Sequence, residues 1–84
     1  MSINIVWHNG ALDFLRKLDN NFSDRIVKKV RDIRLNPERY VLSLVDMGIS
    51  KIRIGDYRLF VTYNKNAGAL IIHSIKHRKN AYKK

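Results

Sequence analysis

The sequence predicts an α+β fold of the order β-α-α-β-β-β, in which an antiparallel sheet is packed on one side by an N-terminal helical hairpin. Two patterns predict it. Apolar residues recur every three or four positions in the first half of the chain, and they alternate with polar residues in the second half. Because the 84 residues are 45% hydrophobic, they can form one small core. We therefore expect a single domain over residues 1–84.

The N-terminal part predicts one strand and one helix. Alternation over residues 3–8 indicates a short first strand, which Asn9-Gly10 ends. The first helix is indicated by leucines at helical spacing, namely Leu12, Leu15 and Leu18. Asn20-Asn21 is predicted to end this helix.

A second helix follows at once. Ser23 is its predicted N-cap, and Asn36-Pro37 ends it because the residue before proline disfavours the helical region. Its apolar positions are Ile26, Val27, Val30 and Ile33. Two helices joined by so few residues are expected to pack as an antiparallel hairpin.

Period-two alternation marks the C-terminal half. After a turn that the glycine predicts at Met47-Gly48, strands are predicted over residues 51–54, 57–63 and 69–75. Gly55-Asp56 and Asn66-Ala67-Gly68 are the turns between them. Residues 77–84 then form a short helix or an irregular tail.

The first predicted hairpin sorts its side chains by face. Glycine at the first central position suits a two-residue type II′ turn, which pairs Arg53 with Arg58 and Lys51 with Phe60. The predicted core face carries Ile52, Ile54, Tyr57, Leu59 and Val61. The basic residues share the opposite face, where like charges directly across two strands are destabilising.

Charge is concentrated in the same half of the chain. Residues 51–84 hold nine basic side chains and one acidic side chain, a net charge of +8. The first fifty residues hold eight basic and six acidic side chains. Such asymmetry favours a polyanionic partner, and we expect nucleic acid. The alternative is a basic, solvated face that only aids solubility.

A second basic cluster, Lys76-His77-Arg78-Lys79, follows the last predicted strand, and Tyr82 stands four residues after Arg78. If the tail is helical, Arg78 and Tyr82 share a face. The last strand returns to the end of the sheet that carries Arg53 and Arg58, so we expect the two basic clusters to converge.

These segments carry a family resemblance. The run from Lys51 to Arg58 (K-x-R-x-G-D-Y-R) and the closing H-R-x-x-x-Y, from His77 to Tyr82, resemble the RelE/ParE superfamily of toxins from toxin–antitoxin systems. Within it the chain is most similar to RelE toxins, which cleave messenger RNA in the ribosomal A site. The resemblance extends over nearly the whole domain.

The resemblance implies roles for single residues. Arg58 corresponds to the arginine that contacts the scissile phosphate, and Lys51 to a lysine near the attacking ribose hydroxyl. Arg78 and Tyr82 correspond to the C-terminal arginine and tyrosine of the active site. The further residues expected to contact RNA are Arg53, Phe60, Lys76, His77 and Lys79.

Cleavage through the 2′-hydroxyl of RNA needs a base, an acid and stabilisation of negative charge. Lys51, Tyr82 and His77 are the acid–base candidates, and the sequence leaves the choice open. No cluster of carboxylates and no His/Cys spacing indicates a metal site. We expect a metal-independent, cofactor-free endoribonuclease that leaves a 2′,3′-cyclic phosphate. His73, between isoleucines, is expected to be a packed sheet residue.

Two other functions stay open: a ParE-like inhibitor of DNA gyrase, and a non-catalytic RNA-binding module. The resemblance also implies partners, which are a RelB-like antitoxin in a heterotetramer, the ribosome and mRNA. The absence of cysteine suits a reducing cytoplasm, and no apolar run approaches the length of a membrane span. A cytoplasmic protein without membrane contact is therefore expected.

Overall fold

The computed structural model describes residues 3–36, 39–40 and 48–81, and the side chains of residues 80 and 81 are outside that description. The elements are β1 (Asn4–Trp7), α1 (Asn9–Lys17), α2 (Asn20–Leu35), β2 (Ile49–Ile54), β3 (Tyr57–Asn64), β4 (Ala69–His77) and α3 (Arg78–Ala81). The predicted α+β order is confirmed, with the tail beginning as a single helical turn.

The sheet has the order β1-β4-β3-β2 and is mixed. β2, β3 and β4 are antiparallel neighbours as predicted, but β1 pairs with β4 in parallel. β1 is not joined to a neighbouring strand by a tight turn, since the chain between β1 and β2 contains α1 and α2, and so long a connection permits parallel pairing. Backbone bonds fix β1 at both ends, from Asn4 N to Gly68 O (2.8 Å) and from His8 N to Ile72 O (2.9 Å).

The core lies between the helices and one face of the sheet. From α2, Ile26, Val30 and Ile33 are almost completely buried, as their spacing of four and three residues on one helical face requires. The sheet contributes Ile52, Ile54, Leu59, Val61, Leu70, Ile72 and Ile75 to the same cluster. The predicted core face of the hairpin is therefore confirmed, with Tyr57 half-buried at its edge.

The helix boundaries differ from the prediction. α1 begins at Asn9, ends at Lys17 and so stops before Asn20-Asn21. Ser23 is not the N-cap of α2, because this helix begins at Asn20 with Asp19 as its N-cap. The amides of Phe22 and Ser23 donate to the Asp19 carbonyl (3.0 Å each). The apolar repeat also starts one turn earlier than predicted, since the Phe22 ring packs 5.9 Å from that of Tyr57.

Asp32 joins α2 to the segment that follows it. The Tyr40 hydroxyl donates a 2.6 Å bond to one carboxylate oxygen, and Asn36 Nδ2 donates a 3.1 Å bond to the other. These bonds, the Tyr40 bond above all, hold the pKa of Asp32 below its usual value. The predicted roles of Pro37 and Met47 lie outside the described residues. Among the helices described here, none is long and apolar enough to cross a membrane.

Leu59 provides a test of the core. Its side chain is fully buried between the helices and the sheet, so Leu59→Ala should lower the free energy of unfolding by about 2–5 kcal/mol in urea denaturation. Leu35→Ala is the control, because Leu35 is 51% exposed and should cost less than about 1 kcal/mol. Equal losses for the two variants would contradict this placement of the core.

Candidate nucleic-acid interface

Three basic residues form a row across the outer face of the sheet, which is the face turned away from α1 and α2. Arg53 of β2 is the Cα partner of Arg58 of β3, and Arg58 is in turn the partner of Lys76 of β4. The predicted Arg53–Arg58 pairing is present. We call these three residues the basic row. Side chains directly opposite each other on one face have Cβ atoms about 5 Å apart, so this row concentrates positive charge.

Arg58 is recessed within the basic row. Only 7% of its surface is exposed, whereas Arg53 and Lys76 are exposed. Its Nη1 donates to the carbonyl oxygens of Tyr57 (3.2 Å) and Gly55 (3.4 Å). None of the carboxylates within the described residues forms an ion pair with it. A sunken cation without a counter-ion is costly, and an incoming anion would relieve that cost.

The remaining N–H groups of Arg58 stay available. No described side-chain nitrogen or oxygen is both fully buried and without a hydrogen-bond partner. Nε and Nη2 of Arg58 have no protein partner among the described residues, so they retain contact with solvent. The guanidinium is thus held by two carbonyl oxygens through Nη1, while Nε and Nη2 keep donors that a phosphate could use.

The hairpin turn holds the start of α3 beside the basic row. Gly55 adopts a positive φ of 58°, which explains the glycine at this position. The backbone N–H of Arg78 donates to the Asp56 carbonyl (2.7 Å), and Arg78 Nε lies 3.9 Å from Asp56 Oδ1. Arg78 therefore lies at the same end of the sheet as Arg58, in agreement with the sequence prediction. Its side chain is more than half exposed.

A second row lies next to the basic row on the outer face. Lys51 is exposed and is the Cα partner of the half-buried Phe60, which is itself the partner of Ser74. We call these residues the middle row. The Lys76 ammonium lies 6.0 Å from the centroid of the Phe60 ring, which places a cation beside the aromatic surface.

His77 is separated from these rows. It is the Cα partner of Tyr57, and its ring meets the Tyr57 ring edge-on at 5.4 Å, on the helix side of the sheet. Its Nδ1 accepts a bond from the Lys79 backbone N–H (3.2 Å). Neighbouring residues of a strand point to opposite faces of the sheet, so the side chains of Lys76 and His77 lie on different faces. Lys79 is exposed in α3, and Tyr82 lies outside the described residues.

His73 forms a polar pair that the sequence did not indicate. A register shift follows Phe60, so that His73 is an extra residue of β4 between two paired positions. Its Nε2 lies 2.7 Å from Thr62 Oγ1 on the outer face, and the His8 ring is 6.4 Å away. His73 is thus half-buried and hydrogen-bonded. In the described part of the chain, no three potential metal ligands lie close together.

Comparison with known proteins gives a consistent result. A family model described as "ParE toxin of type II toxin-antitoxin system, parDE" matches residues 5–82. No curated protein sequence matches the chain.

Solved structures show the same fold. The chain is similar to the RelBE2 toxin–antitoxin complex from Mycobacterium tuberculosis, with a TM-score of 0.75 and 20% identity over 93% of this chain and 100% of that one. It is also similar to the archaeal RelE–RelB complex from Pyrococcus horikoshii (TM-score 0.77, 19% identity, 93% and 97% coverage). A mutant of the E. coli toxin RelE in the free state gives a TM-score of 0.71 at 21% identity, with 98% and 88% coverage.

The salt dependence of binding tests the interface. If Arg53, Arg58, Lys76 and Arg78 each contact a phosphate, the logarithm of the affinity for a single-stranded RNA should fall with the logarithm of salt concentration with a slope of about −3. Arg53→Ala should make that slope shallower by about 0.7. Lys65→Ala removes the same charge from the opposite hairpin turn and should leave the slope unchanged. Equal effects of the two substitutions would argue for a general field of positive charge.

Proposed function

This chain belongs to the ParE toxin family of type II toxin–antitoxin systems, and we propose that it acts as a metal-independent endoribonuclease on mRNA in the ribosomal A site. The observation that carries the proposal is the recessed Arg58, held by two carbonyl oxygens and lacking an acidic partner among the described residues. A cation that the fold already holds in place can stabilise charge that develops on a phosphate without having to reorganise.

The three residues of the basic row and Arg78 have different proposed roles in this chemistry. Arg58 faces the scissile phosphate and stabilises its non-bridging oxygens as they gain charge. Arg78, placed beside the turn by the Asp56 carbonyl, adds a second donor fork from the tail. Arg53 and Lys76 are exposed and hold the neighbouring phosphates, so they contribute mainly to affinity.

The reaction is an internal transfer of the phosphoryl group. The ribose 2′-oxygen attacks phosphorus and loses its proton to a base, while the bond from phosphorus to the 5′-oxygen breaks and that oxygen takes up a proton. The products are a 2′,3′-cyclic phosphate and a 5′-hydroxyl. Lys51, in the middle row, and Tyr82 are the proposed acid–base groups, and which of them is the base is left open.

An antitoxin is the proposed protein partner. The similar structures from M. tuberculosis and P. horikoshii are complexes of a toxin with its antitoxin. We propose that a RelB-like antitoxin binds this chain in a heterotetramer and places acidic side chains against the basic row. Such an arrangement would neutralise the recessed Arg58 and exclude RNA from the same surface.

Inhibition of DNA gyrase is a second candidate function, and one observation favours it: the family whose description matches the chain is that of ParE toxins. The combination of Arg58, Arg78 and Tyr82 in this sequence favours RNA cleavage over gyrase inhibition.

Arg58→Lys tests the catalytic role. The substitution keeps the charge but removes the planar fork, so the rate of mRNA cleavage in programmed ribosomes, followed by primer extension, should fall by about 100-fold or more. The Lys65→Ala variant should cleave the mRNA at the wild-type rate. Undiminished cleavage by a folded Arg58→Lys protein would overturn the assignment of Arg58.

Parallel assays separate the two candidate functions. The purified chain should stop a cell-free translation reaction, and a supercoiling reaction with DNA gyrase should proceed normally at the same toxin concentration. Adding the antitoxin should restore translation. Loss of supercoiling together with intact mRNA would establish gyrase inhibition and contradict the endoribonuclease proposal.

A further inference from the structure

We propose that the outer face of the sheet carries a nucleobase-binding site at a distance from the basic row, centred on Thr62 and Ile49. The inference rests on the proposed function, since its ligand is a single-stranded RNA whose phosphates occupy the basic row. The site is a third row of paired residues, which we call the neutral row because it has no charge: Val6, Ile71, Thr62 and Ile49.

Exposure of apolar surface distinguishes the neutral row. Ile49 is 62% exposed and Val6 is 42% exposed, although both belong to strands of a folded sheet. Thr62 and Ile71, between them, are half-buried. The helices pack on the other face, so none of the described helices covers this row. An exposed, partly apolar strip of this kind can cover the apolar face of a base through van der Waals contact.

Hydrogen-bonding groups lie at the centre of that surface. The Thr62 hydroxyl and His73 Nε2 are 2.7 Å apart, and a hydroxyl can make more than this one bond. Polar groups set within an apolar surface are the usual composition of a small-ligand site. They would meet the edge of a base whose face lies over the neighbouring Ile49, and contacts to base edges are how single-stranded RNA is distinguished by sequence.

The order of the rows matches a nucleotide chain. Adjacent rows are two residues apart along β2 and β3, or about 6.7 Å, so on these two strands the neutral row lies about 13 Å from the basic row. Phe60 in the middle row would meet the base nearest to the bound phosphate, and the neutral row would meet the base of a neighbouring nucleotide. None of the four strands contains an acidic residue, so no carboxylate of these strands repels an RNA backbone that runs from the basic row to the neutral row.

Binding of uncleavable RNA tests the site. The probes are short 2′-O-methyl RNA oligomers of one sequence, intact or lacking a single base at each position in turn, and the readout is fluorescence polarisation at low salt. Ile49→Ser should weaken binding of the intact oligomer by about tenfold, because the apolar contact between the isoleucine and the base is lost. For the oligomer that lacks the base bound at this site, the Ile49→Ser variant and the wild type should bind equally, because the contact is absent from both complexes. Leu35→Ser, at an exposed apolar residue of α2, should bind every probe as the wild type does.

Thr62→Val gives an independent measurement. Valine keeps the shape and the strand preference of threonine but removes the hydroxyl, so the affinity ranking of the four bases at that position should change. Circular dichroism establishes that each variant is folded. The site is overturned if Ile49→Ser weakens all the abasic oligomers alike, or if both variants bind RNA normally and lose affinity for the antitoxin only. Absence of RNA binding by the wild type would instead refute the proposed function itself.

Discussion

The pairing register of the β2–β3 hairpin is the constraint on which the rest of the structure depends. Gly55-Asp56 closes the hairpin so that Ile54 faces Tyr57, and every later pair follows from that one. A shift by one residue would exchange the two faces of a strand. The same register that buries Leu59 against the helices therefore also brings Arg58 beside Arg53 on the outer face.

Two opposing contributions to the free energy of folding act on this hairpin. Burial of an apolar side chain such as Leu59 or Val61 contributes about 1.5–3 kcal/mol each, whereas facing like charges cost about 1 kcal/mol or less. Burial of the core therefore outweighs the repulsion between the positive charges of the basic row. Among the described residues, no carboxylate forms an ion pair with the basic row, and the proposed RNA phosphate or antitoxin carboxylate would supply the missing negative charge.

The sequence predicted what depends on periodicity and missed what depends on packing. Alternation and the turn glycine predicted the Arg53–Arg58 pair and the buried face. The last strand was predicted to end at residue 75, whereas β4 ends at His77. Extending the predicted strand to His77 would have placed His77 and Lys76 on opposite faces of the sheet. The recess of Arg58 was not predictable, because it depends on how a long side chain folds back onto the Gly55 and Tyr57 carbonyls. The parallel pairing of β1 and the extra residue at His73 are likewise set by tertiary contacts.

The chemistry of the RNA ends tests the central claim most directly. Fragments produced by the purified chain on programmed ribosomes can be analysed for their 3′ termini, for example by resistance to ligation before and after removal of a cyclic phosphate. The account predicts cleavage within the A-site codon and a 2′,3′-cyclic phosphate on the upstream fragment. Intact mRNA, or fragments ending in a 3′-hydroxyl, would contradict the role assigned to the basic row.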